Sequence, residues 1–247
     1  MLEIKDLTKT YYGGKIAVSG LSLDVQSGDI YGFIGHNGAG KTTTIKCIVG
    51  IQKFDAGDIL IDGISIKEDP IRCKSMMAYI PDNPDVYEYL TGIQYLNFMA
   101  DVYEVSSDDR KNRINELSEK FEISNVLNNK IESYSHGMRQ KIVIIGALLH
   151  NPKLLILDEP TNHLDIKYQL SFLNIVKSLN LTIISAIHDL NIASMYCDRL
   201  FVMKNGRIVG MGTPQEVLTK EFIKEIYDID VEIVYDSKGD MHILYSR

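Results

Sequence analysis

The sequence predicts an α/β fold organised on a parallel sheet, and two observations carry that prediction. A short apolar run, Ile30–Ile34, leads into Gly35-His36-Asn37-Gly38-Ala39-Gly40-Lys41-Thr42, and a helix-like stretch over Thr42–Val49 follows. Further along, two β-like runs, Leu154–Leu157 and Leu181–Ile187, flank the helix-like segment Ile166–Leu179. Strand, helix and strand at that length imply a parallel crossover.

The other elements follow from pattern. Leu2–Ile4 and Leu21–Val25 alternate apolar and polar residues about the turn Gly13-Gly14, so residues 1–30 read as short strands. Residues 84–150 change character. Thr91 is placed to cap a helix carrying Ile93, Leu96, Met99 and Ala100 on one face. Ser107 is placed to cap a second with Ile114, Leu117 and Phe121. This stretch reads as a helical insert, although periodicity alone does not separate it from further core helices. Short strands around Gly206 and at Val231–Val234, with a helix starting near Pro214, complete the reading.

Composition excludes several classes. The 247 residues are 45% apolar and 24% charged, a globular balance for one to two domains. With 26 basic and 33 acidic residues the net charge is −7, a poor footprint for generic nucleic-acid binding. Cys47, Cys73 and Cys197 have no CxxC spacing and fit a reducing cytoplasm. The N-terminus does not read as a signal peptide. The longest apolar run, Ile142–Leu149, is far shorter than the ~18 residues of a membrane span.

The glycine-rich run matches GxxxxGK[ST] between a predicted strand and a predicted helix, the context that the motif requires. Gly35, Gly38 and Gly40 let the backbone curl so that N–H groups face phosphate oxygens. The helix N-terminus adds partial positive charge. Lys41 reaches the β- and γ-phosphates, and the Thr42 hydroxyl is a hard ligand for Mg²⁺. By itself the loop indicates a nucleoside triphosphate and leaves kinase, GTPase and ATPase open.

Leu154–Leu157 is a strand of four aliphatics running into Asp158-Glu159-Pro160. Such a strand suits the centre of a parallel sheet. Asp158 at its end is placed to hold Mg²⁺, and Glu159 to accept a proton from an attacking water. Two solvated loop acids are the bland alternative, which the upstream phosphate loop disfavours. His188 ends the next β-like run, where ligands of open α/β sheets bind, and is placed to contact the γ-phosphate and the water. A lone histidine is more often structural, so its position carries the assignment.

At this point the chain resembles the nucleotide-binding subunit of ABC transporters over residues 1–225. The most specific element is Tyr134-Ser135-His136-Gly137-Met138-Arg139-Gln140-Lys141, similar to the family's LSGGQ signature, with His136 in place of the first glycine and Met138 in place of the glutamine. The resemblance implies the ABC ATPase fold. That is a P-loop NTPase core (1–83 and 151–225), with an N-terminal antiparallel β-subdomain and an inserted α-helical subdomain (84–150). Residues 226–247 would form a short C-terminal appendage. It also implies that ATP is bound by Gly35, Asn37, Gly38, Ala39, Gly40, Lys41, Thr42 and Thr43, with Mg²⁺ at Thr42, Asp82 and Asp158. Lys41, Glu159 and His188 would be catalytic. Ser135 and Gly137 would contact the γ-phosphate held by a second copy, so that two chains sandwich two ATP molecules head to tail. Asn162-His163-Leu164-Asp165 resembles the D-loop that crosses this interface. Tyr12 resembles the aromatic that stacks on adenine, with Tyr11 a close competitor. The family's Q-loop glutamine is replaced by Asp82, which is shorter and charged.

The resemblance divides by region. Residues 1–160 look most like ATPases of drug and peptide exporters, and residues 161–247 more like those of iron-chelate importers. The implied activity is ATP hydrolysis that drives transport through separate transmembrane permease subunits, at the cytoplasmic face of the cell membrane. The helical insert would carry the docking surface. The aromatic segment from Tyr87 and Tyr89 to Tyr95 suits either partner anchors or core. A soluble ATPase of the same family is the alternative. It is disfavoured because no sustained heptads and no second cassette are present. An unrelated GTPase would need NKxD, which the sequence lacks.

Overall fold

The computed structural model describes the chain apart from Thr161, His163, Leu164 and Arg247. Strand β1 (Leu2–Thr10) pairs antiparallel with β2 (Ile16–Val25) across a loop in which Gly13 and Gly14 both take positive φ. That backbone region costs glycine nothing and other residues something. The chain continues through β3 (Ile30–Ile34) and helix α1 (Lys41–Ile48), then returns as β4 (Ala56–Ile61) and β5 (Ile64–Ser65). A four-stranded antiparallel sheet results, in the order β2-β1-β4-β5.

After α2 (Pro70–Ser75) and β6 (Met77–Ile80) comes the helical stretch: α3 (Gly92–Val102), α4 (Ser107–Lys120) and α5 (His136–Leu148). Thr91 caps α3 in a reciprocal box. Its hydroxyl accepts from Gln94 N at 3.3 Å, while Gln94 Oε1 accepts from Thr91 N at 2.9 Å. Leu96 and Ala100 are buried from this helix. The cap of α4 is Ser106 rather than Ser107, because the Ser106 hydroxyl accepts from Asp109 N at 3.2 Å. Ile114 and Phe121 are buried as the spacing predicts.

The remaining elements are β7 (Leu154–Asp158), α6 (Ile166–Lys177), β8 (Thr182–Ala186), α7 (Leu190–Tyr196), β9 (Arg199–Lys204), β10 (Arg207–Gly212), α8 (Pro214–Val217), α9 (Lys220–Tyr227), β11 (Val231–Tyr235) and β12 (Met241–Tyr245). The helix predicted near Pro214 is therefore two short helices, α8 and α9, and β12 is a strand that the sequence reading passed over. The second sheet has the order β10-β9-β3-β8-β7-β6. Its strands are parallel except for β10, which runs antiparallel to β9.

Strand β7 shows why the end of the sheet that presents Asp158 is fixed. Leu155 and Leu157 belong to one apolar cluster, shared with α5 and the helical stretch. Leu154 and Ile156 belong to a second, shared with the antiparallel sheet and α1. Burial at about 1.5–3 kcal/mol per side chain on both faces clamps the strand that presents Asp158. Leu155→Ala would open a cavity here at a cost of about 2–5 kcal/mol. The three cysteines are buried and free.

Candidate functional site

The phosphate loop joins β3 to α1, and backbone geometry explains its glycines. Gly35, Gly38 and Gly40 have φ of 143°, 81° and 110°. A Cβ on Gly35 would stand 2.2 Å from Met203 O, and one on Gly40 2.5 Å from Ala17 O. Ala39 is fully buried and ties the loop to the turn before β10, accepting from Gly206 N at 2.9 Å. Gly40 caps α1 and supplies no side-chain bond, so the first-turn N–H groups of α1 have no side-chain cap. They point out of the helix as an anion cradle. The loop opens onto a cavity of about 150 Å³, lined by Asn37, Gly38, Gly40, Lys41, Thr42, Thr43, Tyr11 and Glu159 among others.

Lys41 is 4% exposed, and its Nζ donates to Gly35 O at 2.7 Å and His36 O at 3.3 Å. Burial pulls its pKa down, while Glu159 and Asp158 push it back up. The ammonium is thus held in place by main-chain acceptors and by the two acids before any ligand arrives.

Asp158 is 2% exposed and accepts from the Thr42 hydroxyl at 3.1 Å. Burial raises its pKa, the Thr42 bond opposes that, and the neighbouring Glu159 charge adds to it. Burial together with Asp158 also pushes the Tyr79 phenol up to about 12, so Tyr79 stands against this carboxylate as a neutral donor. Thr42 and Asp158 present hard oxygens side by side at the phosphate end of the sheet, and this donor set fits Mg²⁺.

Glu159 takes a left-handed backbone, φ 55°, a conformation that costs a non-glycine residue about 1–3 kcal/mol. Its carboxylate meets His188 Nε2 at Oε1 and accepts from Asn162 Nδ2 at 2.6 Å on Oε2. Asn162 Nδ2 also reaches Asp82 Oδ1 at 3.0 Å. One amide thus joins the Asp82 and Glu159 carboxylates, and His188 completes the group from the end of β8.

Not every expected residue joins this cluster. Ser135 caps α5, accepting from Met138 N at 3.3 Å, and Gly137 lies in the first turn of that helix. Asp165 caps α6 through Tyr168 N at 3.1 Å. None of the three lines the phosphate-loop cavity. His163 and Leu164 lie outside the described residues. Tyr12 is fully exposed, whereas Tyr11 lines the cavity and its hydroxyl is 3.3 Å from Thr43 Oγ1. The sequence reading places Asn162 only in the D-loop-like run that would cross to a second copy, and gives Tyr79 no role. A polar residue three positions beyond a strand-end acid, in the turn closed by Asn162 N to Glu159 O at 3.2 Å, was the available signal for Asn162.

A glycine-rich loop between strand and helix, a buried lysine in it, and acids at the end of a neighbouring parallel strand define a phosphate-loop nucleotide-binding protein. The sequence profile of the family described as "ABC transporter" matches residues 18–162, and the chain belongs to that family as an ATP-binding subunit, an ATPase. It is 35% identical over 234 residues to the lipopolysaccharide export system ATP-binding protein LptB of Escherichia coli, covering 92% of this chain and 96% of that protein. It is 32% identical over 244 residues to the ABC-type transporter ATP-binding protein EcsA of Bacillus subtilis, covering 97% and 98%. That alignment spans both the exporter-like and the importer-like regions. Among solved structures, an ATP-binding subunit of an ABC transporter superposes with a TM-score of 0.81 at 32% identity, covering 92% of this chain and 98% of the other. The cbiO1 protein of Clostridium perfringens, part of the ABC transporter complex cbiONQ, gives 0.81 at 29%, covering 91% and 92%.

Proposed function

We propose that two copies of this chain close head to tail on two ATP molecules and hydrolyse them to drive transport through separate transmembrane subunits. The observation that carries the proposal is the meeting of Glu159, His188, Asn162 and Asp82 beside the Thr42–Asp158 pair, at the mouth of the phosphate loop. Asn37, Gly38, Ala39, Gly40 and Thr43 cradle the phosphates, and Lys41 neutralises the β- and γ-oxygens. Thr42, Asp158 and Asp82 are the residues that would hold Mg²⁺, which when bound neutralises charge developing on the phosphate oxygens. Glu159 accepts a proton from the attacking water, and His188 orients the carboxylate and the γ-phosphate. Tyr11 or Tyr12 stacks on the adenine.

The position of Ser135 and Gly137, away from the phosphate-loop cavity, supports a signature that acts on the nucleotide of the second copy. In such a dimer Asp165 would face the partner across the interface. We assign residues 1–83 and 151–225 to the ATPase core, 84–150 to the helical unit and 226–247 to an appendage. Tyr87 and Tyr89 are 46% and 69% exposed, and Tyr87 packs edge-on to Phe98 at 5.5 Å. This aromatic patch on the helical unit suits a membrane-subunit anchor, while Tyr95 is core. Among the described residues no helix is long and apolar enough to cross a membrane, so contact with the cytoplasmic face runs through those partners.

The test is affinity capture of tagged Glu159→Gln protein from its source cells in mild detergent with ATP and Mg²⁺, followed by mass spectrometry. A co-purifying polytopic membrane protein is expected. Its absence would move the reading to an ATPase that moves nothing across a membrane.

A further inference from the structure

The segment that follows His188 is held by the far C-terminal end of the chain. Asp189 caps α7, its Oδ1 accepting from Asn191 N at 2.8 Å and Ile192 N at 3.1 Å. One residue into that helix, Asn191 grips β12 with both ends of its amide. Its Nδ2 donates to Ile243 O at 3.1 Å, and its Oδ1 accepts from Ile243 N at 2.7 Å. One turn on, the Ser194 hydroxyl lies between two acceptors, Asn191 O at 2.9 Å and Met241 O at 3.2 Å, and shares its one hydrogen between them. Met241 and Ile243 are 3% and 2% exposed, within the same apolar cluster as Leu190, Ile192 and Ala193. At the base of the same hairpin, Tyr227 is half-buried against the same apolar cluster.

Helix α7 has seven residues, too few to be stable alone, so its tertiary anchors set its position and that of the residue before its cap. Packing alone would be served by an aliphatic side chain at 191. The amide instead takes both main-chain groups of Ile243 and fixes α7 in register against β12.

We propose that the β11–β12 hairpin positions His188 against Glu159, and that Asn191 is the latch, a positioning residue for ATP hydrolysis. This rests on the role given above to His188. The C-terminal hairpin is then a control point: whatever displaces it from α7 slows hydrolysis without touching the nucleotide.

The test is steady-state ATP hydrolysis by the full chain. Asn191→Ala and Ser194→Ala are each made in the parent and in a His188→Ala background. Asn191→Ala in the parent is expected to lower kcat about tenfold with KM unchanged, the scale of a small misplacement at a reacting centre. In the His188→Ala background it should have no further effect, because the two residues act through one contact. A loss of equal factor in both backgrounds, or no loss in the parent, overturns the proposal. If circular dichroism shows that Asn191→Ala does not fold, Ser194→Ala carries the same cycle with an expected loss of about threefold, and equal losses in both backgrounds overturn it likewise. Full turnover in His188→Ala itself would remove the histidine's role and the latch with it. Loss there, with Asn191→Ala unaffected, would overturn the latch alone.

Discussion

The Thr42 hydroxyl donates to Asp158 at 3.1 Å, joining the helix that opens at the phosphate loop to the end of strand β7, which lies between β8 and the edge strand β6. The carboxylate that receives this bond is buried and stands beside Glu159, and its pKa is raised. The charged form of Asp158 therefore costs the folded, ligand-free protein stability above the raised pKa. That cost vanishes as pH falls through it toward the unfolded value of about 3.9. Asp158→Asn keeps an acceptor for Thr42 and removes the charge. The variant should melt higher than the parent at neutral pH, with the gap closing in acid, and should lose Mg²⁺-dependent hydrolysis. Melting curves across pH check the first part, and an unchanged or lowered melting point would contradict it.

His150 joins the helical stretch to the sheet. Its ring stacks on Tyr103 with centroids 3.9 Å apart, and its Nε2 donates to Met77 O at 3.2 Å. Burial lowers its pKa, against the Met77 bond, and Arg113 lowers it further. The folded state thus resists protonation. Its stability is fully present above the unfolded pKa of about 6.5 and is lost as pH falls below that. Tm should drop between about pH 7.5 and pH 5.5. His150→Phe, which keeps the stack, should flatten that part of the profile, and an unchanged slope would show that other groups set it.

Ser135 is exposed at the start of α5, where its side chain contributes a cap worth about 0.5–2 kcal/mol. Ser135→Arg should fold and bind ATP with near-parent affinity, yet lose at least about 100-fold in turnover if, as proposed, the serine acts on the partner's nucleotide. Fluorescent-nucleotide titration alongside phosphate release checks this. Parent-like turnover would indicate a monomer that works alone.

Lys41→Ala removes the one ammonium buried in the phosphate loop and leaves Gly35 O and His36 O without their donor. Nucleotide binding itself should weaken at least about tenfold, the scale of losing one charge-assisted contact. Calorimetric titration of ATP measures it, and unchanged affinity would mean that the main-chain cradle suffices.

The phosphate loop and the acids after Leu157 were legible in the sequence, because main-chain curvature demands glycines and a doubly buried strand reads as a continuous aliphatic run. The cap at Thr91 was legible because its partner lies three residues away. The contacts that complete the site were not. Asn162 joins Asp82 to Glu159 across 80 positions, and Thr42 reaches Asp158 across 116. No local pattern marks such pairs. Tyr11 and Tyr12 are neighbours in one loop, and only the loop's path turns Tyr11 to Thr43 and leaves Tyr12 in solvent. Asn191 reads as an ordinary polar residue in a helix until β12, 52 positions on, lies beside it.

The central claim is a composite site in which Glu159 takes the proton of the attacking water while a second copy closes the nucleotide in. Light scattering of Glu159→Gln with ATP and Mg²⁺, paired with phosphate release, tests both halves at once. The account predicts a stable ATP-dependent dimer with hydrolysis reduced at least about 100-fold, the lower range for loss of a general base. A monomer that turns ATP over at the parent rate would contradict it.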